Sequence, residues 1–260
     1  MSSENQSKIN RLLGSFPQGT VILSSWMKEK GYSPELQKRY RKSNWLESIG
    51  TGAMIRKGDQ VTYEGAIYTL QHLSNFSIHP GGKTALNLQG NAHYLELSTK
   101  SVVLFGDSGE VLPTWFRNHK WEHAIHYYRS GFLPTDIGYT EVEFKNFKYR
   151  ISNPARAMME CLYLTPTKQS LVECYEIMEG LNNLRPLQVQ ALLEQCSSVK
   201  VKRLFLYLAG KSGHAWVKHI HREKIDLGKG KRSIIKGGFY DPEYQITIDK
   251  ELESKDEGSV

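Results

Sequence analysis

Between residues 33 and 57 the chain gathers side chains suited to gripping a polyanion rather than to making or breaking bonds. Ser33-Pro34-Glu35 opens a helix: a hydroxyl that accepts from a first-turn amide, a proline whose fixed φ suits the first helical position, and an acid at the positive helix end. Along 33–44, Leu36 and Tyr40 stand i, i+4 and face inward, which leaves Gln37, Lys38, Arg41 and Lys42 for the outer side. On such a face Arg41 can chelate O6 and N7 of guanine and Gln37 can chelate N6 and N7 of adenine. Lys38 and Lys42 suit phosphates, as does Ser33 together with the first-turn amides. The turn Gly50-Thr51-Gly52 offers Thr51 at a hairpin tip, and Arg56 and Lys57 follow on the returning strand, placed for a minor groove or the backbone.

A second cluster lies in 199–236, where Lys200, Lys202, Arg203, Lys211, Lys218, Lys229, Lys231 and Arg232 stand almost free of acids. Arg203 and Tyr207 share a helix face, and Trp216 sits among Lys211, Lys218 and His219. Cations with interleaved aromatics suit a nucleic-acid backbone track, and a Gly-Lys loop can present amides to phosphates. The same glycines also suit a hairpin in which they serve turn geometry alone. The loop is not a P-loop, since GxxxxGKS/T is absent and a strand follows it.

Bond-making chemistry finds little support. His119, His123 and His126 are spaced i, i+4, i+7, which on a helix could hold zinc. But 123–128 reads as a strand, which puts His123 and His126 on opposite faces. Asp107-Ser108-Gly109 reads as a turn and does not match the GxSxG nucleophile spacing. No catalytic residue, metal site or cofactor is expected, and the chain reads as a non-enzyme.

These residues sit in a chain of 260 residues that is 39% hydrophobic and 11% aromatic, enough for a sizeable core and too apolar for a disordered protein. No apolar run approaches the roughly 18 residues of a membrane span. The polar start lacks a secretory core, and three cysteines without a CxxC pair fit a soluble, reduced, cytoplasmic protein. The net charge of +7 is unevenly placed: +5 over 1–90, −2 over 91–195, +9 over 196–240 and −5 over 241–260. Concentrated positive charge attracts nucleic acid at long range.

Helical periodicity covers 6–14, a segment within 21–31 capped by Ser24 or Ser25, and 33–44. Strands at 45–49 and 53–56 are joined by the glycine turn. That order is a winged helix-turn-helix. A helix at 63–73 follows, then short strands at 77–79 and 93–97 flanking a helix begun at Lys83. Strands at 102–105, 123–128, 140–144 and 147–151 come next, then helices from Asn153-Pro154, at 169–178, 186–196 and 199–209, and strands at 233–235 and 245–248. The fold class is α+β, with a winged helix-turn-helix domain at 1–95, a mixed α+β domain at 96–250 and an acidic disordered tail at 251–260.

Several long phrases carry a family resemblance: LQKRYRKSNWLESIGTGAMIRKGD, YEGAIYTLQ and IHPGGKTALNLQGNAHYLEL in the first half, then NPARAMMECLYL, LRPLQVQALLEQCSSVKVKRLFLYLA, IDLGKGKRSIIKGG and YQITI. Together they resemble the AbiEi family, antitoxins of type IV toxin–antitoxin systems, over most of the chain. The resemblance implies an antitoxin that binds operator inverted repeats on double-stranded DNA with its N-terminal domain and represses its own operon. It also implies a C-terminal domain that counteracts a nucleotidyltransferase-like toxin without a stable complex. The rival reading is a winged-helix module that binds protein or RNA through the basic 199–236 block. An enzyme acting on nucleotides rests only on the glycine-lysine loop.

Overall fold

The computed structural model describes residues 3–90 and 101–253. It opens with α1 (Ser3–Gly14), β1 (Ile22–Leu23), α2 (Ser24–Glu29), α3 (Pro34–Lys42), β2 (Leu46–Gly50) and β3 (Ala53–Arg56). The three strands form one antiparallel sheet ordered β1-β3-β2. The apolar residues that set the helical periodicity, among them Ile9, Leu12, Met27, Leu36 and Tyr40, close with Leu46 and Met54 into a core of their own. This is the winged helix-turn-helix expected from the order of elements. Ser33 caps α3, its Oγ accepting from Leu36 N at 3.3 Å. The cap expected for α2 differs: Leu23 holds that position without a side-chain bond, because the Ser24 hydroxyl is drawn to Gln37 instead.

α4 (Tyr63–Leu73) leaves this unit and bridges to the second half. Thr69 Oγ1 donates to Val21 O at 2.8 Å and accepts from Val21 N at 3.0 Å, which fixes α4 to β1. On another side of α4, Gln71 exchanges hydrogen bonds with the Arg150 backbone at 2.8 Å each way. β4 (His79–Pro80) pairs antiparallel with β5 (Ser101–Gly106), which pairs in parallel with β6 (Ala124–Arg129). One sheet therefore takes strands from both sides of the expected boundary at 95. The strand expected at 93–97 lies outside the described residues.

The rest packs around one apolar helix. α5 (Gly82–Leu88) precedes β5, and α6 (Thr114–Asn118) lies between β5 and β6. The hairpin β7 (Tyr139–Phe144) and β8 (Phe147–Ser152) leads into α7 (Pro154–Leu164), capped by Asn153 Oδ1 on Arg156 N at 2.9 Å. α7 is buried along nearly its whole length, and α5, α8 (Leu171–Glu179), α9 (Pro186–Gln195) and α10 (Val199–Lys211) surround it. A small sheet closes the fold: β9 (Arg232–Ser233) runs parallel to β11 (Ile246–Ile248), and β10 (Phe239–Asp241) pairs antiparallel with it. β10 was not expected, since it is only three residues between a Gly-Gly pair and a proline.

The first residues of the expected tail at 251–260 sit in a turn. Asp249 caps a 3-10 turn at Lys250–Leu252, and Leu252 is fully buried, so 251–253 belong to the fold. Residues 254–260 lie outside the described residues.

Inside the junction of the two halves lies a buried polar cluster that sequence reading missed. Glu160 is fully buried and accepts from His79 Nε2 at 3.0 Å, Arg156 Nε at 3.0 Å, Ser152 Oγ at 2.7 Å and Gly82 N at 2.9 Å. A Cβ on Gly81 would collide with this carboxylate, so the Gly-Gly pair is what admits it. Burial alone would raise the Glu160 pKa. The His79 hydrogen bond, the His79 and Arg156 charges and the Ser152 hydroxyl outweigh it and hold the carboxyl below its ordinary range.

Candidate nucleic-acid interface

α3 shows which of its side chains are free to meet a ligand. Leu36 and Tyr40 are buried as expected, but Gln37 is buried with them at 3% exposure. Its Nε2 donates to Tyr32 O at 2.9 Å and Ser24 O at 3.2 Å, and its Oε1 accepts from Ser24 Oγ at 2.5 Å. Gln37 therefore cannot read adenine; it locks α3 against α2 and the loop between them. The helical angle explains the correction: Gln37 lies about 100° from Leu36 and about 60° from Tyr40, inside the width of a buried stripe.

The outer face of α3 carries Lys38, Arg39, Arg41 and Lys42, all exposed. Lys38 and Lys42, one turn apart, lie near its centre. Arg41 sits at the edge beside the wing, with Nη1 3.4 Å from Met54 Sδ on β3. Arg39, on the opposite edge, was missed by the sequence reading, although its position next to the inward Tyr40 marks it as flanking the same face. Ser33 is exposed and occupied as the cap.

The wing differs from a free loop. Thr51 is exposed at the tip, but Gly50 lies flat against α6: a Cβ there would come within 2.7 Å of Trp115 Cβ. Arg56 does not face outward. Its Nη2 donates to Leu13 O and to Phe16 O, the latter at 2.5 Å, and so closes the end of α1. Lys57 pairs with Glu47 across the wing at 2.7 Å, which offsets its charge. Of the eight positions read from sequence, Lys38, Arg41, Lys42 and Thr51 remain presented, Ser33 caps, Lys57 is paired, and Gln37 and Arg56 are structural.

The basic block of the second half divides the same way. Arg203 is 2% exposed and spends its guanidinium on carbonyls: Nε to Leu227 O at 2.8 Å, Nη1 to Gly230 O at 2.7 Å, and Nη2 to Gly228 O at 3.1 Å. It organises the glycine-lysine loop from inside. Lys200 Nζ donates to Tyr163 O at 2.8 Å and Thr165 O at 2.7 Å at the end of α7, and burial lowers its pKa. Lys202 is buried, and Trp216 is buried with Nε1 on Leu181 O at 2.9 Å, so neither forms a stacking surface. Lys211 lies over the Tyr175 ring. Lys218, Lys229, Lys231 and Arg232 are exposed, with Lys231 over Tyr240. What remains is a cationic loop tip rather than a track along α10.

Among the described residues no group of three or more His, Cys, Asp or Glu is placed to hold a metal ion, and no helix is long and apolar enough to cross a membrane. The three cysteines are free and buried, and burial raises each thiol pKa.

Residues 5–97 match the family described as transcriptional regulator, AbiEi antitoxin N-terminal domain. Residues 99–249 match the family described as transcriptional regulator, AbiEi antitoxin, type IV TA system. No curated protein matches the chain. Among solved structures, the crystal structure of the RV2827C protein from Mycobacterium tuberculosis is similar in fold, with a TM-score of 0.56 at 11% identity, covering 100% of this chain and 96% of that one.

Proposed function

The chain belongs to the AbiEi family of antitoxin transcriptional regulators of type IV toxin–antitoxin systems, and from that premise we propose that it binds operator DNA through α3 and represses its own operon. The observation that carries this reading is the exposed cationic face of Lys38, Arg39, Arg41 and Lys42 on a helix held from behind by Gln37. In a winged helix-turn-helix the second helix of the motif enters the major groove, and that helix here is α3. Arg41, beside the wing, is the base-reading candidate; Lys38 and Lys42 hold phosphates. Two copies on inverted repeats would present the same face to each half-site. The second half then serves the antitoxin role against a nucleotidyltransferase-like toxin, with no stable complex between them. Operator binding places the protein in the cytoplasm.

Footprinting on its own promoter tests this. Protection of an inverted repeat is expected, with log K falling by about 0.9 per neutralised phosphate for each decade of salt. A Lys38→Ala/Lys42→Ala protein that keeps the parent's affinity and salt slope overturns the role of α3.

A further inference from the structure

Beside the wing, and outside the residues assigned to DNA, lies an open groove of about 510 Å³ between α6 and the face of β6. That volume is in the range of small-molecule sites. Its lining is apolar and aromatic, with Leu112, Phe116, Trp121, Ile125 and Tyr127, Phe116 and Trp121 in ring contact at 4.9 Å, and Val111 61% exposed. Ile125, Tyr127 and Arg129 alternate along β6 and so share one face.

The charges at the groove favour an anion. Arg117 and Arg129 both line it, are exposed, and have no ion-pair partner among the described residues. The one acid present, Glu110, is already engaged: its Oε1 accepts from Ser77 N and its Oε2 from Tyr127 Oη at 3.4 Å. Burial, and next the Glu110 charge, push the Tyr127 pKa up, so its hydroxyl stays a donor to that carboxylate. Trp121 Nε1 is spent on Phe116 O at 2.9 Å, and its half-buried ring packs against Phe116 and His119. The groove thus offers flat apolar walls and two guanidinium groups with planar donor forks.

The same short helix reaches the wing. Trp115 packs against Gly50, where there is no room for a Cβ, while its neighbours Phe116 and Arg117 line the groove. Trp115 and Phe116 are adjacent in this five-residue helix, so α6 physically connects the groove to the support of the wing. We propose that this groove is an effector site for a flat organic anion, an aromatic carboxylate, sulfonate or phosphate, whose occupancy alters DNA binding through the Trp115–Gly50 contact. The effector role rests on the DNA-binding reading above; the binding site itself does not.

The test uses the full chain and naphthalene-2-sulfonate as probe, with naphthalen-2-ol and 2-naphthylmethylammonium as neutral and cationic counterparts, in equilibrium dialysis. The sulfonate is expected to bind most tightly, and Arg117→Ala and Arg129→Ala each to weaken it about tenfold through loss of a charge-assisted hydrogen bond. Equal binding of all three probes, or unchanged binding in the double variant, overturns the site. Operator affinity is then measured across a sulfonate series. A shift of about fivefold or more that reaches a plateau, and is absent in the double variant, is the expected coupling. No shift despite binding overturns the transmission, and a loss without a plateau is direct competition with DNA and overturns the effector role. If the unliganded protein fails to bind the operator, the DNA-binding reading fails, and dialysis still decides the site.

Discussion

His79 Nε2 lies 3.0 Å from Glu160 Oε1, and this contact joins a residue of the N-terminal family region to one of the C-terminal region. The other ring nitrogen of His79 is 2.6 Å from Ser77 O. Both ring nitrogens thus face acceptors, one a backbone carbonyl and the other the Glu160 carboxylate. Arg156 completes the cluster and is itself tied down, Nη1 donating to Pro134 O at 2.6 Å and Ile137 O at 2.9 Å.

Replacing Glu160 by Gln is expected to cost about 3–5 kcal/mol, because it strands the buried Arg156 guanidinium without its counter-charge. The Glu160 pKa is lowered in the folded state, so its stabilisation is present above the unfolded value of about 4.3 and is lost as pH falls through the folded value. Urea unfolding of the parent should therefore lose stability on acidification below that point, and Glu160→Gln should lose less. Equal acid sensitivity in both proteins would remove Glu160 from that role.

Cutting the chain at 95 should damage the second half. The fragment 96–260 lacks β4, α4, α5 and His79, which takes the His79 and Gly82 hydrogen bonds from Glu160 and uncovers β5, β8 and α7. A fragment beginning at 63 keeps these contacts. Circular dichroism melting is expected to show a cooperative transition for 63–260 and a broad or absent one for 96–260. Equal cooperativity would mean that the two family regions fold independently.

Gln37→Ala and Lys42→Ala should separate stability from affinity. The first removes three hydrogen bonds that join α3 to Ser24 and Tyr32, an expected loss of about 2–3 kcal/mol in unfolding with base preference retained. The second changes stability by no more than about 0.5 kcal/mol and reduces the salt slope of operator binding by about 1. A Gln37→Ala protein of parental stability would contradict the lock.

Arg203→Lys should loosen the loop around Gly228 and Gly230, because one ammonium cannot reach the four carbonyls, of Leu227, Gly228, Gly230 and Gln245, that the guanidinium serves. A loss of about 2–4 kcal/mol is expected from the buried bonds left unmade. Lys229→Ala, on the exposed tip of the same loop, should be near neutral. Hydrogen exchange in 226–232 checks both, with faster exchange only in Arg203→Lys.

Much of the fold can be read from local chemistry. Ser33-Pro34 and Asn153-Pro154 announce helices that start where those residues say, and alternation around Gly50-Thr51-Gly52 marks the wing. What escaped reading depends on partners distant in sequence. Nothing near Arg56 says that its guanidinium ends on Leu13 and Phe16, and nothing near Arg203 says that it turns inward. Charge counts treat all cations as surface, so they overstated both basic blocks. The buried cluster did leave a trace: Arg156 and Glu160, i and i+4, stand on a helix otherwise apolar, and such a pair invites a search for a third partner. His79 beside a Gly-Gly pair was that partner.

The burial of Gln37 bears on the thermodynamics of association. Its bonds to Ser24 and Tyr32 fix α2 and α3 relative to one another before any ligand arrives, so the ordering entropy of that pair is met during folding. Calorimetry of operator association should accordingly lack the large negative heat-capacity change of segments that fold as they bind.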